Sequence, residues 1–287
     1  MKVAVLIHAH REPNLVKRLV ACLQHPQIDV YINVDARVDI SNFSDIIADV
    51  TFMKNRVEVV WGRFSQVQQI LNSYEEILNT NIKYSHILFI SGQDYPVKSM
   101  DYIVNQLSTN IEKSYLDFHL LKDSSWDRMI RQRYEYWYFL PESDIRNKRF
   151  VKKILNRLKF KRKYPLTPYY GSCWMCLTLD AVKYSLKYTS ENPDFVKFNQ
   201  HTGCPDELYF QSILVNSPLK DSLINNIHRY IDWSDEGKSP KVLTMSDLEK
   251  IKNSDSWFVR KVDLETDSSF LNSLDNLRDE SCNPLSV

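Results

Sequence analysis

The sequence predicts an α/β fold in which a mixed, mostly parallel sheet is flanked by helices. Short apolar runs alternate with amphipathic helical patterns, and polar residues follow several of these runs directly. The first such pair is the strand Val3–Ile7 and the helix Glu12–Leu23, which form an opening βα unit. With 287 residues, 43% of them apolar, the chain can bury a sizeable core. We find no linker or repeat and predict one domain over residues 1–287.

The next elements extend this alternation. Val30–Asp35 predicts a second strand that ends in a carboxylate, and Val57–Trp61 predicts a third that is closed by Gly62. Ser65 and Gln68 have the spacing of a capping box at the start of a helix. The apolar face of that helix is formed by Val67, Ile70, Leu71, Tyr74, Ile77 and Leu78.

A fourth strand leads into a polar turn. His86–Ile90 is apolar, and Ser91–Pro96 after it contains Gln93 and Asp94. The carboxyl ends of strands in open α/β sheets are where ligands bind, so this turn is a candidate binding element.

The middle of the chain is rich in arginine and aromatic residues. Trp126–Phe139 includes Arg133 and Tyr134 and is suited either to stacking on sugar rings or to a surface loop packed on the core edge. Further on, Gly171–Ser172 leads into a strand and the helix Asp180–Tyr188. The C-terminal third carries Arg229–Trp233, a helix Ser246–Lys252 and the apolar-basic run Trp257–Asp263.

The charge balance and the cysteine content limit which partners the protein can bind and in which cellular compartment it can work. Lys and Arg total 37 and Asp and Glu total 36, so the whole chain has no strong field for nucleic acid. The CxxC pair Cys173 and Cys176 lies in an apolar run without a second pair, which favours buried reduced thiols over a metal or redox site. The N-terminus does not resemble a signal peptide and no stretch approaches the ~18 apolar residues of a membrane span. We predict a cytoplasmic protein.

One local basic stretch, Arg146–Lys163, interrupts this balance. It contains ten Lys or Arg residues and no acid, with apolar residues at helical spacing, and lies in a basic amphipathic insertion at about 141–165. Such a helix either lies on the anionic inner face of the plasma membrane or packs on the domain with a solvated basic face. The same stretch would serve a non-catalytic carbohydrate- or nucleic-acid-binding protein, the alternative function for the chain.

Glu207 is the candidate catalytic base. Pro205–Asp206–Glu207 begins a predicted helix, and the positive end of the helix dipole keeps a carboxylate ionised, as a base requires. The same three residues could instead be an ordinary capped helix start. Two nucleotide motifs are absent from the sequence, GxGxxG and GxxxxGK[ST], and no Asp-x-Asp is present to hold a metal ion on a donor diphosphate.

The ordered series of motifs resembles the core-2/I-branching glycosyltransferase family, which contains β-1,6-N-acetylglucosaminyltransferases and peptide O-xylosyltransferases. The resemblance runs from about Lys2 to Asp263. It rests on Ala9–Pro13, Ile32–Asp35, Ser91–Pro96, Gly171–Ser172, Cys204–Glu207, Arg229–Trp233 and Phe258–Lys261. It implies a fold of the GT-A type, an inverting reaction and a UDP-sugar donor, with no metal ion or other cofactor. The missing Asp-x-Asp agrees with this.

The resemblance also implies roles for individual residues. Glu207 matches the general base that takes the proton from the acceptor hydroxyl. The remaining roles are diphosphate binding by Lys261, Arg260 and Lys238 (or Lys241 instead of Lys238), nucleoside binding by His10, Asp35 and Trp61, donor-sugar binding by Gln93 and Asp94, and acceptor binding by Arg133, Tyr134 and Trp233.

Taken alone, several of these residues have simpler explanations. His10 could be a loop histidine, Asp35 a turn cap and Trp233 a core residue. With the family resemblance, we expect transfer of N-acetylglucosamine from its UDP-sugar to a glycan acceptor. A cytoplasmic transferase that builds surface glycans would meet that acceptor on a lipid carrier.

Overall fold

A computed structural model describes residues 1–122, 124–138, 161–235 and 239–281. Its strands are β1 (Lys2–Ala9), β2 (Ile28–Val34), β3 (Val50–Phe52), β4 (Tyr84–Ser91), β5 (Asp94–Pro96), β6 (Ser114–Leu116), β7 (His119–Leu120), β8 (Tyr169–Tyr170), β9 (Met175–Thr178), β10 (Leu223–Ile224), β11 (Arg229–Ile231) and β12 (Phe258–Arg260). Its α-helices are α1 (Pro13–Cys22), α2 (Phe64–Asn79), α3 (Met100–Thr109), α4 (Ser125–Glu135), α5 (Leu179–Glu191), α6 (Pro193–Asn199), α7 (Tyr209–Val215), α8 (Leu248–Lys252) and α9 (Ser268–Glu280).

The central sheet has seven strands in the order β10-β6-β9-β4-β1-β2-β3. Within it β9 runs antiparallel to both of its neighbours, and the other pairings are parallel. Helices cover both faces of this sheet. The predicted fold class, an α/β fold with a mixed, mostly parallel sheet flanked by helices, is confirmed.

The two faces of the sheet support separate core clusters, and β1 shows why. Its side chains alternate, so Ala4 and Leu6 pack with α2, α5 and α7, whereas Val3, Val5 and Ile7 pack with α1 and α3. Because β1 is buried on both faces, it reads as a continuous apolar run.

A second, three-stranded sheet has the order β11-β12-β5. It packs with α1, α8 and α9 in a third apolar cluster that includes Tyr95 and Val259. Strand β12 pairs with β5 in antiparallel register, with Arg260 opposite Asp94. This sheet brings the C-terminal third of the chain against the polar turn after β4.

The predicted third strand, Val57–Trp61, is wrong. The strand beside β2 is β3, in which Val50 lies opposite Val30. Residues 57–60 instead bond to the loop after β2: the Ala36 N–H donates to the Val57 carbonyl at 3.0 Å, and the Val59 N–H donates to Asp35 Oδ2 at 3.3 Å. The segment is therefore part of the loop wall at the end of the sheet.

Two local predictions about helices also need correction. Helix α2 has the predicted apolar face but begins at Phe64, and the Ser65 hydroxyl accepts from the Val60 N–H at 2.8 Å instead of forming a capping box with Gln68. The arginine-rich stretch is not a loop over residues 125–135 but helix α4, which does carry a capping box formed by Ser124 and Asp127.

Residues 146–160 of the basic stretch, and most of the predicted amphipathic insertion at about 141–165, lie outside the described residues. Its described end packs on the domain. The Lys161 ammonium lies 2.6 Å from a Glu135 carboxylate oxygen, and the Arg162 guanidinium donates to the His201 carbonyl at 2.6 Å. Burial lowers the pKa of Arg162 to about 10. Among the described helices, none is long and apolar enough to cross a membrane.

Candidate active site

Polar residues from several strands meet at one edge of the central sheet. His10 follows β1, Asp35 follows β2, and Gln93 and Asp94 follow β4, all at the carboxyl ends of parallel strands. Because β9 is antiparallel, the turn Gly171–Trp174 before it lies at the same edge. The sheet topology thus assembles the candidate site from distant parts of the sequence.

The turn that carries Glu207 is a short 3₁₀ helix, Pro205–Glu207, which is separate from α7. Cys204 precedes it in a left-handed conformation with φ of 46°. The Glu207 carbonyl accepts from the Gly171 N–H at 3.0 Å. A Cβ at Gly171 would lie 1.8 Å from the Asp117 carbonyl oxygen, so only glycine fits this close approach. The two carboxylates therefore lie just before the α-helix and not in its first turn as predicted.

Glu207 is held by a group that we call the base cluster: Arg133, Tyr170, Asp206 and Glu207. The Glu207 carboxylate forms an ion pair with the Arg133 guanidinium, which lies 5.7 Å from the centre of the Tyr170 ring. Burial together with the charge of Glu207 raises the pKa of the Tyr170 hydroxyl. The Glu207 side chain is 27% exposed, so it remains within reach of a ligand.

Asp206 differs from its neighbour because it is buried. Its Oδ1 has no hydrogen-bond partner among the described residues, and its Oδ2 accepts from the Gln66 amide at 3.4 Å. Burial, and then the charge of Glu207, raise the pKa of Asp206 to about 7. Near neutral pH Asp206 is therefore divided between its protonated and ionised forms. The expectation that this helix start keeps its carboxylates ionised does not hold for Asp206.

Three cations form a second group, the cation cluster: Arg11, Arg260 and Lys261. Arg11 is paired with Glu12 at 2.5 Å and with Asp263 at 3.3 Å. The Lys261 ammonium has no hydrogen bond or ion pair to any residue that the structure describes. Burial and the charges of Arg11 and Arg260 lower the pKa of Lys261. An anion bound here would relieve this crowding of like charges.

Gln93 and Asp94, the predicted donor-sugar residues, lie in the interior beside the cation cluster. Asp94 is fully buried, and its carboxylate accepts from the Ser91 N–H at 2.6 Å and pairs with Arg260 at 3.1 Å. Gln93 is 5% exposed and its amide contacts Glu12 at 3.3 Å. Their contact with a sugar remains a prediction.

The three predicted nucleoside residues have different surroundings. Asp35 is buried and accepts from the Arg37 guanidinium at 2.8 Å and 3.1 Å; burial opposes the lowering of its pKa that these bonds produce. Desolvation and Arg11 lower the pKa of His10, whereas Asp35 acts in the opposite direction. His10 and Asp35 are therefore brought together. Trp61 is 67% exposed.

The remaining predicted residues divide between the site and the rest of the fold. Arg133 belongs to the base cluster, but Tyr134 is 6% exposed and packs edge to face on Tyr164 in the core. Trp233, just after β11, is 60% exposed. Lys238 lies outside the described residues, and the Lys241 ammonium pairs with Asp247 at 2.7 Å.

Sequence reasoning assigned no role to Tyr170, Gln66 or Trp174, and it quoted Arg229 only as part of a motif. Tyr170 could have been suspected because it directly precedes the Gly171–Ser172 motif. Within the described ranges, no three His, Cys, Asp or Glu side chains are grouped so as to hold a metal ion, and the four cysteines described there are free.

Comparison with known proteins gives consistent matches. A profile of the core-2/I-branching enzyme family matches residues 3–255. Xylosyltransferase 2 of Rattus norvegicus is 26% identical over 250 residues, covering 82% of this chain and 27% of that protein. Xylosyltransferase oxt of Drosophila melanogaster is 24% identical over 230 residues, covering 76% of this chain and 24% of that protein. The chain thus spans about a quarter of the length of these relatives.

Among solved structures, the apo form of mouse xyloside xylosyltransferase 1 aligns with a TM-score of 0.39 and 8% sequence identity. That alignment covers 90% of this chain and 96% of the mouse protein chain.

Proposed function

Because this chain belongs to the core-2/I-branching enzyme family, we propose that it is a glycosyltransferase that moves a sugar from a UDP-sugar to a hydroxyl of a glycan acceptor. The observation that carries this proposal is that two charged groups lie at the same edge of the central sheet. One is a partly exposed carboxylate in the base cluster, and the other is an unpaired ammonium in the cation cluster.

In the proposed reaction Glu207 takes the proton from the acceptor hydroxyl as its oxygen forms a bond to the anomeric carbon. The bond from that carbon to the donor phosphate oxygen breaks, and UDP leaves from the opposite face, so the anomeric centre is inverted. Arg133, which lies beside the Tyr170 ring, fixes the orientation of the Glu207 carboxylate. A positioned base contributes about 10²- to 10⁴-fold to such a rate.

The departing diphosphate needs positive charge, and Lys261 with Arg260 supplies it in the proposed mechanism. Support comes from the unpaired state of the Lys261 ammonium and from the like charges beside it. Fixed cations of this kind can take the place of a metal ion, so we propose that the reaction is independent of metal ions.

We propose UDP-N-acetylglucosamine as the donor. UDP-xylose is the first alternative, because several relatives of the chain are named xylosyltransferases. His10 and Asp35 are the proposed nucleoside contacts. A screen of UDP release over a panel of UDP-sugars tests the donor directly, and release from UDP-xylose alone would overturn the choice of N-acetylglucosamine.

The enzyme assignment itself is tested by UDP. We expect UDP to raise the melting temperature of the protein, since a ligand that binds the folded state stabilises it, and we expect RNA and DNA to have no effect. Stabilisation by RNA and not by UDP would favour the alternative of a nucleic-acid-binding protein.

We also propose a cytoplasmic location, a lipid-linked acceptor and peripheral contact of residues 146–163 with anionic membrane. The test is flotation with vesicles that contain or lack phosphatidylglycerol, at low and high salt, beside a variant with Lys152, Lys153, Arg157 and Lys159 changed to Gln. Equal flotation of the variant, or none by the parent, would overturn the membrane contact.

A further inference from the structure

Arg229 is a buried arginine that the proposed mechanism does not use. Its side chain is 1% exposed, and its Nη2 donates to the Phe89 carbonyl at 3.3 Å and lies 3.6 Å from Asp94 Oδ2. Its Nε and Nη1 are buried without a partner among the described residues. Burying a cation with unsatisfied donors destabilises the fold, so packing alone does not account for Arg229 at this position.

Arg229 shares its partners with Arg260 of the cation cluster. Arg260 Nη1 lies 3.1 Å from Asp94 Oδ1, and the Ser91 hydroxyl accepts from the same nitrogen. The two guanidinium groups also lie against one ring, at 5.0 Å for Arg229 and 4.4 Å for Arg260 from the centre of Trp174. One carboxylate thus serves two arginines, which leaves one positive charge without a partner carboxylate in this cluster.

The two oxygens of the Asp94 carboxylate face different arginines, and this arrangement determines how many N–H donors of Arg260 stay unpaired. An arginine and a carboxylate on their own prefer two parallel hydrogen bonds. Here Asp94 Oδ2 faces Arg229 and the Ser91 N–H, so Arg260 reaches only Oδ1 and uses only Nη1. Its Nε and Nη2 have no partner within the described part of the chain, and the side chain is 16% exposed next to Lys261.

We propose that Arg229 is a positioning residue for Arg260. By occupying one side of Asp94 and packing on Trp174, Arg229 prevents Arg260 from closing onto both carboxylate oxygens. Arg260 therefore keeps two donors available, beside Lys261, for the diphosphate of the donor. This inference rests on the proposed function, because it takes UDP as the ligand.

The test is a double-mutant cycle on the binding of UDP and of uridine, measured by calorimetry. We expect Arg260→Met to weaken UDP binding about 10-fold, the loss of one charge-assisted contact, and Arg229→Met to weaken it about 3- to 10-fold. The double variant should bind UDP as weakly as Arg260→Met alone, because Arg229 acts only through Arg260. Uridine, which lacks the phosphates, should bind equally to all four proteins.

Arg278→Met is the matched control, since Arg278 also shares a carboxylate, Asp275, with a second arginine, but on the opposite side of strand β5 from Asp94. It should leave UDP affinity unchanged. If Arg229→Met does not fold, Arg229→Lys completes the cycle, because it keeps the charge but loses the planar fork.

Additive losses in the double variant, an equal loss for uridine, or full UDP affinity in the Arg229 variant would overturn the inference while leaving the proposed function in place. Absence of UDP binding by the parent protein would overturn both.

Discussion

Two groups of charges lie on the two sides of strand β5, and they differ in how completely their members bind one another. Asp94 and Tyr95 are neighbours on β5, so their side chains point to opposite faces. Asp94 joins Arg229 and Arg260 on the side of the cation cluster. Tyr95 lies on the other side with an outer cluster that consists of Arg18, Asp275 and Arg278.

In the outer cluster the charged groups hydrogen-bond with one another. Asp275 accepts from Arg18 at 2.5 Å, from the Tyr95 hydroxyl at 2.7 Å and from Arg278 at 2.5 Å, and these bonds lower its pKa although burial opposes them. Around Asp94, by contrast, Arg229 keeps two buried donors without a partner in the described structure. We infer that a charged cluster whose hydrogen-bond donors and acceptors pair with one another stabilises the fold. A charged cluster that keeps unpaired donors is instead part of a binding site.

Glu207→Gln in the base cluster should have the largest effect, about 10²- to 10⁴-fold on the transfer rate, because it removes the proposed base. UDP affinity and melting temperature should stay near those of the parent. Steady-state transfer assays and calorimetry measure the two quantities. Glu249→Gln, an exposed glutamate on α8, is the control, and near-normal turnover by Glu207→Gln would reduce Glu207 to a structural residue of its turn.

Asp206→Asn should change how stability depends on pH. The folded pKa of Asp206 is about 7, above the ~4 of an unfolded aspartate, so the folded protein binds this proton more tightly. Its stabilising contribution is complete below about pH 4 and is lost as pH rises through about 7. Relative to the variant, the parent should therefore lose up to about 4 kcal/mol between these values.

The titratable groups that face Asp206 are Glu207, Arg133, Cys173 and Cys204, and all four remain in the variant. Denaturant unfolding of both proteins from pH 4.5 to pH 8 measures the difference. Parallel pH profiles would show that the buried Asp206 carboxyl does not titrate in this range.

Asp275→Asn in the outer cluster should reduce stability without reducing function. We expect the free energy of unfolding to fall by about 2 kcal/mol at pH 7, because two arginines lose their carboxylate. The pKa of Asp275 is lowered in the folded state, so its contribution is present above about pH 4 and is lost as pH falls through the folded value. UDP affinity should be unchanged, and a UDP defect that exceeds the stability defect would contradict the distinction between the two clusters.

Lys261→Ala should weaken UDP binding about 10-fold, about 1.4 kcal/mol, while uridine binding stays the same. EDTA should leave activity unchanged. Lys250→Ala, an exposed lysine on α8, is the control. Activity that is abolished by EDTA and restored by Mn²⁺ would show that a metal ion, and not the cation cluster, neutralises the diphosphate.

The sequence predicted the central sheet well because its strands are buried runs with local signals. Val3–Ile7 and His86–Ile90 are apolar on both faces, and the polar residues after them mark the edge of the sheet. The edge strand β3 was missed because Val50–Phe52 is only three residues long and half-buried. Helix α9 was missed although Phe270, Leu271 and Leu274 have helical spacing after the cap Asp267.

Much less of the site was accessible from sequence. The resemblance predicted roles for Glu207 and Lys261, and those roles remain predictions; the structure places Glu207 beside the turn before β9 and Lys261 directly after β12. No local pattern could predict that Tyr134 turns into the core or that Gln66 reaches Asp206, 140 positions away. Whether a hydrogen-bond donor finds a partner likewise depends on tertiary structure. The unpaired buried donors of Arg229 therefore could not be predicted from sequence.

The pairing of β5 with β12 has a consequence for the order of assembly during synthesis. Strands β1 to β4 are four neighbouring strands of the seven in the central sheet and lie between residues 2 and 91, so they can pair before the later strands are synthesised. Arg260 meets Asp94 across 166 residues, a long loop to close. The nascent chain therefore acquires a folded sheet well before it acquires the cation cluster. Under the proposed mechanism, nucleotide binding therefore depends on residues near position 260, which are synthesised long after strands β1 to β4.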